Sequence, residues 1–198
     1  MAYRWLFPEA LFRVETNRKE VYLTFDDGPH PEATPFVLDV LKAHGIKATF
    51  FVLGKNALAY PELLERMKRE GHVIGNHGMD HLNGWTTGLD QYLEDQRAGK
   101  HVVNSSIFRP AYGKMSLSQY KELSKTDQIV FWDVISGDFD TEIDGDRVKR
   151  NVIDNVRSGS VIVFHDSKKA FPNIKSSLND IIGQLGENGY SFGTLTSR

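Results

Sequence analysis

Short apolar segments alternate with amphipathic helical segments along almost the whole chain. Seven segments rich in β-branched and aromatic residues are predicted strands: residues 21–25, 48–53, 73–75, 107–109, 129–134, 160–164 and 190–195. The predicted helices cover residues 35–44, 61–70, 89–103, 116–125, 146–157 and 174–187. Strands joined by helices run parallel, so the pattern predicts an α/β fold with about seven parallel strands covered by helices. The pattern alone does not distinguish a barrel from an open sheet.

The chain is predicted to form a single domain. Its 198 residues are enough for one well-buried core, and no Pro/Gly/Ser-rich linker divides them. We place the domain at residues 21–198, with residues 1–20 as an N-terminal extension. Arg4, Pro8 and Glu9 interrupt the apolar clusters of residues 1–13, so we expect neither a signal peptide nor a membrane segment. By default this places the chain in the cytoplasm, and the sequence carries no signal for its oligomeric state.

Charge and cysteine content narrow the possible ligands. The 24 basic and 26 acidic side chains give a net charge of -2, and no Lys/Arg-rich block is present, so we expect no nucleic-acid partner. The chain contains no cysteine. Any transition metal must therefore be held by histidine and carboxylate side chains.

Unusual polar residues follow the predicted strands where the apolar runs end. They are Asp26, Asp27, His77, Arg109, Asp138 and His165. In parallel α/β folds the carboxyl ends of the strands meet at one edge, where catalytic groups gather. We therefore expect these side chains to lie together. A histidine at a strand end is as often structural, and Asp138 alone would be a solvated loop acid.

Two short segments predict a metal site. Asp26 and Asp27 face opposite ways and repel each other, which calls for a nearby cation. His77 and His81 are four residues apart, a spacing that places both on one side of a single helical turn. Alone, each segment is more often an ordinary turn or a surface coincidence. Together with Asp27 the histidines form a set that suits Zn²⁺, Co²⁺, Ni²⁺ or Fe²⁺.

Other polar and aromatic residues are candidates for catalysis and substrate binding. Arg109 precedes a proline and could hold a carboxylate in a bidentate pair. The backbone N–H of Tyr112 could stabilise an oxyanion. Trp85 lies in a predicted loop and could stack against a sugar.

Taken together, these segments resemble the polysaccharide deacetylase family, the NodB-homology domain of carbohydrate esterase family 4. The likeness covers residues 21–195, with motifs in the family's order at residues 24–29, 77–81, 109–113, 138–139 and 163–165. The resemblance implies a distorted (β/α) barrel with about seven strands. It also implies a metal-dependent hydrolase that removes acetyl groups from N-acetylated sugars of a glycan.

The resemblance assigns a role to each candidate residue. Asp27, His77 and His81 bind one divalent metal, with zinc expected first. Asp26 is the general base and Arg109 orients it.

The remaining roles concern the acid and the substrate. His165 is the general acid, and Asp138 raises its pKa. Tyr112 offers its N–H to the oxyanion, while Val163 and Phe139 bound the pocket for the acetyl methyl group.

Three positions depart from the family pattern. Gly78 stands where Ser or Thr is usual, Ala111 where Pro is usual, and Phe139 where Trp is usual. These departures leave the glycan and the choice between N-acetyl and O-acetyl groups open. The alternatives are a hydrolase of O-acetyl esters or of a non-sugar amide, and an inactive carbohydrate-binding relative. Many relatives act outside the cytoplasm.

Overall fold

The computed structural model describes residues 3–196, which form eight strands and eight α-helices. The strands are β1 (Glu20–Asp26), β2 (Thr49–Val52), β3 (Val73–Asn76), β4 (Ile107–Phe108), β5 (Gln128–Ile129), β6 (Val134–Ile135), β7 (Val161–His165) and β8 (Ser191–Gly193). The helices are α1 (Tyr3–Leu6), α2 (Ala33–Ala43), α3 (Gly54–Ala59), α4 (Pro61–Arg69), α5 (Leu89–Val103), α6 (Leu117–Leu123), α7 (Gly145–Ile153) and α8 (Phe171–Glu187). A 3₁₀ turn covers Ala111–Gly113.

The strands form one parallel sheet in the order β5-β4-β3-β2-β1-β7-β6, and β8 pairs with the first half of β1. The sheet curls into a distorted barrel with helices outside, which confirms the predicted fold and the single domain. None of the helices within residues 3–196 is long and apolar enough to cross a membrane.

The predicted strand at residues 129–134 is wrong as a single strand. The run is divided between β5, which pairs with β4, and β6, which pairs with β7. Residues 130–133 cross the opening between these two edges of the sheet. A continuous apolar run gives no sign that its two halves have different partners.

The N-terminal segment lies across the same opening. Leu11 N–H donates to the Ile129 carbonyl at 2.8 Å, and Phe131 N–H donates to the Leu11 carbonyl at 2.7 Å. Val14 N–H donates to the Gly159 carbonyl at 2.9 Å. These contacts join part of the predicted extension to β5 and to the segment just before β7, while the domain boundary at residue 20 stays a prediction.

β1 shows how the sequence separates the core from the site. Val21, Leu23 and Phe25 face the helices and belong to the main hydrophobic core. The Phe25 ring stacks on those of the neighbouring strands, 5.1 Å from Phe50 and 5.6 Å from Phe164. Each buried ring contributes about 1.5–3 kcal/mol of stability. Because side chains alternate along a strand, the remaining β1 residues, ending at Asp26, face the barrel interior.

Candidate metal centre and active site

The three predicted metal ligands converge at the carboxyl ends of the strands. Asp27, His77 and His81 each offer one ligand atom, and these atoms lie within 4.8 Å of one another. The Nε2 atoms of His77 and His81 are 3.5 and 3.1 Å from Asp27 Oδ1. The structure therefore brings the predicted set together at one point.

The state of these atoms fits a divalent metal. Asp27 Oδ1 is buried and accepts no hydrogen bond, although both histidines are near. His77 Nδ1 lies 2.8 Å from the Arg109 carbonyl, which can only accept a hydrogen bond, so in the neutral imidazole Nδ1 carries the proton and Nε2 carries the lone pair. An unbonded carboxylate oxygen beside a lone-pair nitrogen is expected where a cation completes the set. The histidine and carboxylate donors suit Zn²⁺, Co²⁺, Ni²⁺ or Fe²⁺.

The charge of Asp27 agrees with this interpretation. Burial alone raises the pKa of the carboxyl group. The nearby imidazoles of His77 and His81 outweigh burial and hold the pKa of Asp27 well below its usual range. Asp27 is therefore an anion at neutral pH, as a metal ligand must be.

The segment between the two histidines is a loop, so the predicted helical turn is wrong. Gly78 and His81 both have positive φ, of 84° and 64°. The carboxylate of Asp95 in α5 accepts the N–H groups of Met79 at 3.1 Å and Asp80 at 2.8 Å. A Cβ at residue 78 would collide with Asp95 Oδ2. The Asp95 carboxylate thus fixes the backbone of this loop, and the glycine leaves room for it.

Helix α3, which the sequence did not predict, supports both ligand-bearing turns. Asn56 Nδ2 donates to the Asp27 carbonyl at 2.7 Å. The N–H groups of Gly54 and Lys55 donate to the carbonyls of Gly78 and Met79 at 2.9 and 3.2 Å. Gly54 and Asn56 are weak helix formers, and a helix of six residues shows no apolar period, so no local signal marks it.

The predicted base, Asp26, is buried against Arg109. Arg109 Nη1 donates to Asp26 Oδ1 and to Thr24 Oγ1, each at 2.7 Å. Its Nη2 donates to the Phe131 carbonyl at 3.0 Å. The predicted bidentate pair is wrong, because the guanidinium divides its donors among several acceptors. It also lies 4.0 Å above the centre of the Phe51 ring, which fixes its plane.

The predicted acid, His165, forms a close pair with Asp138. His165 Nδ1 lies 2.8 Å from Asp138 Oδ1, and the His165 backbone N–H donates to Asp138 Oδ2 at 2.7 Å. Burial lowers the pKa of His165. The charge and hydrogen bond of Asp138, with smaller contributions from Asp26 and Asp27, outweigh burial and raise the pKa of His165 to about 9. His165 is therefore protonated at neutral pH.

Asp26 and His165 are aligned on adjacent strands. They are register partners in the parallel pairing of β1 and β7. Side chains of register partners lie on the same face of the sheet, so both groups face the barrel interior. Asp27 follows Asp26 directly, which places the predicted metal ligands beside this pair.

The four predicted substrate-binding residues lie in different environments. Tyr112 and Trp85 are both 59% exposed, and the Tyr112 ring centroid is 4.4 Å from that of His81. The Phe139 ring lies edge-on, 5.1 Å from His165, whereas Val163 is buried within β7. No carbonyl within residues 3–196 accepts the Tyr112 N–H. The geometry leaves that donor available, and the roles of these residues stay predictions.

Asp166 is a site residue that the sequence analysis missed. Its fully buried carboxyl group accepts the Gly28 N–H at 3.1 Å and the Thr34 hydroxyl, and it fills the space beside the Gly28 Cα. Asp166 thereby holds the turn that follows Asp27. Burial, followed by the charges of Asp27 and Asp26, raises the pKa of Asp166 to about 8. The hydrogen bond from Thr34 lowers this pKa but is outweighed. Its position after a buried strand was the available signal.

Comparisons with known proteins identify the family. The profile described as "Polysaccharide deacetylase" matches residues 13–128. A Bacillus cereus peptidoglycan-N-acetylglucosamine deacetylase is 38% identical over 189 residues, which are 91% of this chain and 68% of the relative. A crystal structure of a peptidoglycan N-acetylglucosamine deacetylase with 4-naphthalen-1-yl-N-oxidanyl-benzamide aligns with a TM-score of 0.91 and 36% identity, over 98% of this chain and 94% of the other.

A second solved structure bears on the inactive alternative. It is a mutant, with restored enzymatic activity, of a pseudoenzyme of the same carbohydrate esterase family. It aligns with a TM-score of 0.81 and 26% identity, over 95% of this chain and 70% of the other. The matched profile and relatives confirm the predicted resemblance: this chain belongs to the polysaccharide deacetylase family.

Proposed function

We propose that this protein is a metal-dependent hydrolase that removes acetyl groups from N-acetylated sugars of a glycan of the peptidoglycan type. The observation that carries the proposal is the convergence of Asp27, His77 and His81 beside the aligned pair of Asp26 and His165. This arrangement supplies a metal site, a carboxylate and a protonated imidazole at one edge of the barrel. The names of the relatives support the choice of substrate.

Different side chains of the site carry out different steps of the hydrolysis. A divalent metal, when bound, supplies Lewis-acid polarisation of the acetamide carbonyl and acidification of water. Asp26 takes the proton of the attacking water, and Arg109 holds the Asp26 carboxylate in place. The Tyr112 N–H donates to the oxyanion that the acetyl carbonyl oxygen becomes when water adds to the carbonyl carbon.

The chemistry of the leaving amine explains the role of the His165–Asp138 pair. An amine leaves poorly unless it is protonated, so the acid must carry a proton near neutral pH. Asp138 binds the Nδ1 side of His165, which leaves the Nε2 proton for the departing nitrogen. Because a sugar alkoxide has less need of a preloaded acid than an amine, this pair favours amide over ester hydrolysis.

Two alternatives remain distinct from this proposal. A hydrolase of O-acetyl esters or of a non-sugar amide would use the same residues on another substrate. An inactive relative would keep the cleft and lack turnover. The presence of all seven side chains proposed for metal binding and catalysis, which are Asp26, Asp27, His77, His81, Arg109, Asp138 and His165, supports an active enzyme.

Acetate release tests the proposal. The metal-loaded protein is given an N-acetylglucosamine tetramer, an O-acetylated xylo-oligomer and a simple acetamide. We expect most acetate from the N-acetyl tetramer, and a loss of about 100-fold or more in Asp26→Asn without loss of bound metal. Asp39→Asn, which changes an exposed carboxylate, is the matched control. Release from the ester alone, or from none of the three, contradicts the proposal.

A further inference from the structure

An exposed aromatic surface beside the metal ligands carries a lysine. Lys114 Nζ lies 4.9 Å from the centre of the Trp85 ring and 5.9 Å from the centre of the Tyr112 ring. The Tyr112 ring in turn contacts His81. We name Trp85, Tyr112 and Lys114 the aromatic–lysine surface. It extends outward from the metal ligands on the His81 side.

The ammonium group of this surface has no acidic partner. The lysines that form ion pairs within residues 3–196 are Lys55, Lys68, Lys100 and Lys125. Asp80, which lies on the His81 loop, is paired with Lys55. Lys114 therefore presents an uncompensated positive charge over two aromatic faces. Such a cation attracts an anion that approaches along the rings.

The surface is built on a buried support. Gln119, which is 1% exposed, donates from Nε2 to the carbonyls of Gly84 and Thr87, each at 3.0 Å. Its Oε1 accepts the Ser116 N–H at 2.9 Å. Gln119 thus ties the loop of Trp85 to the segment that follows Lys114. A fixed surface binds a ligand with less loss of side-chain freedom than a mobile one.

We propose that the aromatic–lysine surface binds a sugar unit that carries a carboxylate, adjacent to the N-acetyl sugar that is hydrolysed. Trp85 and Tyr112 are both largely exposed, so their rings offer apolar surface to a pyranose ring beside the ammonium group. The single ammonium group matches one carboxylate on that ring. The inference rests on the proposed function, since the neighbouring sugar must lie at the metal site. It assigns to Lys114 the preference for acidic over neutral glycans.

The test compares two substrates that differ by one charge. They are a tetramer of alternating N-acetylglucosamine and N-acetylmuramic acid, and the methyl ester of the same tetramer. We expect wild-type kcat/KM for the acid to exceed that for the ester by about fivefold, mainly through KM. Raising the salt concentration to about 1 M should remove most of this difference.

Two lysine variants locate the effect. Lys114→Met should bring the ratio of kcat/KM values for acid and ester close to one. Lys19→Met is the matched control, because Lys19 Nζ lies 5.0 Å from the Tyr190 ring at the opposite end of β1. An equal fall of the acid-to-ester ratio in Lys114→Met and Lys19→Met would assign the preference to the overall charge of the protein and overturn the inference. Equal wild-type values for acid and ester would also overturn it.

Binding separates this inference from the proposed function. Calorimetry on the metal-loaded Asp26→Asn variant measures the affinity for acid and ester without turnover. Tighter binding of the acid that is lost on adding Lys114→Met supports the surface even if no acetate is released. Acetate release by the wild type, with equal binding of acid and ester, supports the proposed function and refutes the surface.

Discussion

Replacement of Arg109 by methionine tests the buried pair that holds the proposed base. Both partners are almost fully buried, with 0% exposure for Arg109 and 2% for Asp26. Removing the cation leaves Asp26 as an unpaired buried charge, which costs about 3–5 kcal/mol. The Phe131 carbonyl also loses its donor at 3.0 Å. For a chain of this size the loss corresponds to a fall in Tm of roughly 10 °C.

Denaturant unfolding and steady-state kinetics measure the two effects. The free energy of unfolding should fall by about 3–5 kcal/mol in Arg109→Met and by at most about 1 kcal/mol in Lys68→Met, whose pair with Glu65 is exposed. A folded Arg109→Met variant should also lose kcat, because the Asp26 carboxylate is no longer held in place. Wild-type stability in Arg109→Met, or wild-type kcat in a folded variant, would refute the reasoning.

Three further results are expected. In Asp138→Asn the alkaline limb of kcat/KM should move to lower pH, because the carboxylate that raises the pKa of His165 is gone; a limb unmoved here and in His165→Ala would show that His165 is not the acid. The His165–Asp138 pair should stabilise the fold fully below about pH 6.5, and this contribution should be lost as the pH rises through about 9, since the folded-state pKa is raised. As the pH is raised from about 6.5 to 9, the denaturant midpoint should therefore fall less in Asp138→Asn than in the wild type. Gly28→Ala should lower stability by about 1–3 kcal/mol and weaken metal binding, because the added methyl group collides with Asp166; unchanged calorimetric affinity would contradict this.

The fold and the placement of the candidate residues could be predicted because both depend on where strands end. β1 and β7 are continuous apolar runs, and their periodicity sets both the strand and the residue at which it stops. Asp26 and His165 could therefore be placed at one edge without knowledge of the barrel. The convergence of Asp27 with the histidines follows from the same rule.

The parts that the sequence did not predict depend on contacts between distant segments. The loop of His77 and His81 is shaped by the Asp95 carboxylate from α5. The spacing of the two histidines does not indicate this contact. Asp166 reaches Gly28 across 138 positions of the chain. The division between β5 and β6 depends on partner choice in the sheet, which local hydrophobicity does not encode.

Metal titration of the metal-free protein, followed by acetate release from an N-acetylglucosamine tetramer, tests the central claim most directly. Activity should be absent after chelation and should rise with added Zn²⁺ to a plateau at one ion per chain, because the described ligands form one three-residue group. His77→Ala should bind the ion at least about tenfold more weakly. Full activity in the chelated protein, or wild-type metal affinity in His77→Ala, would contradict the assignment of Asp27, His77 and His81 as the metal site.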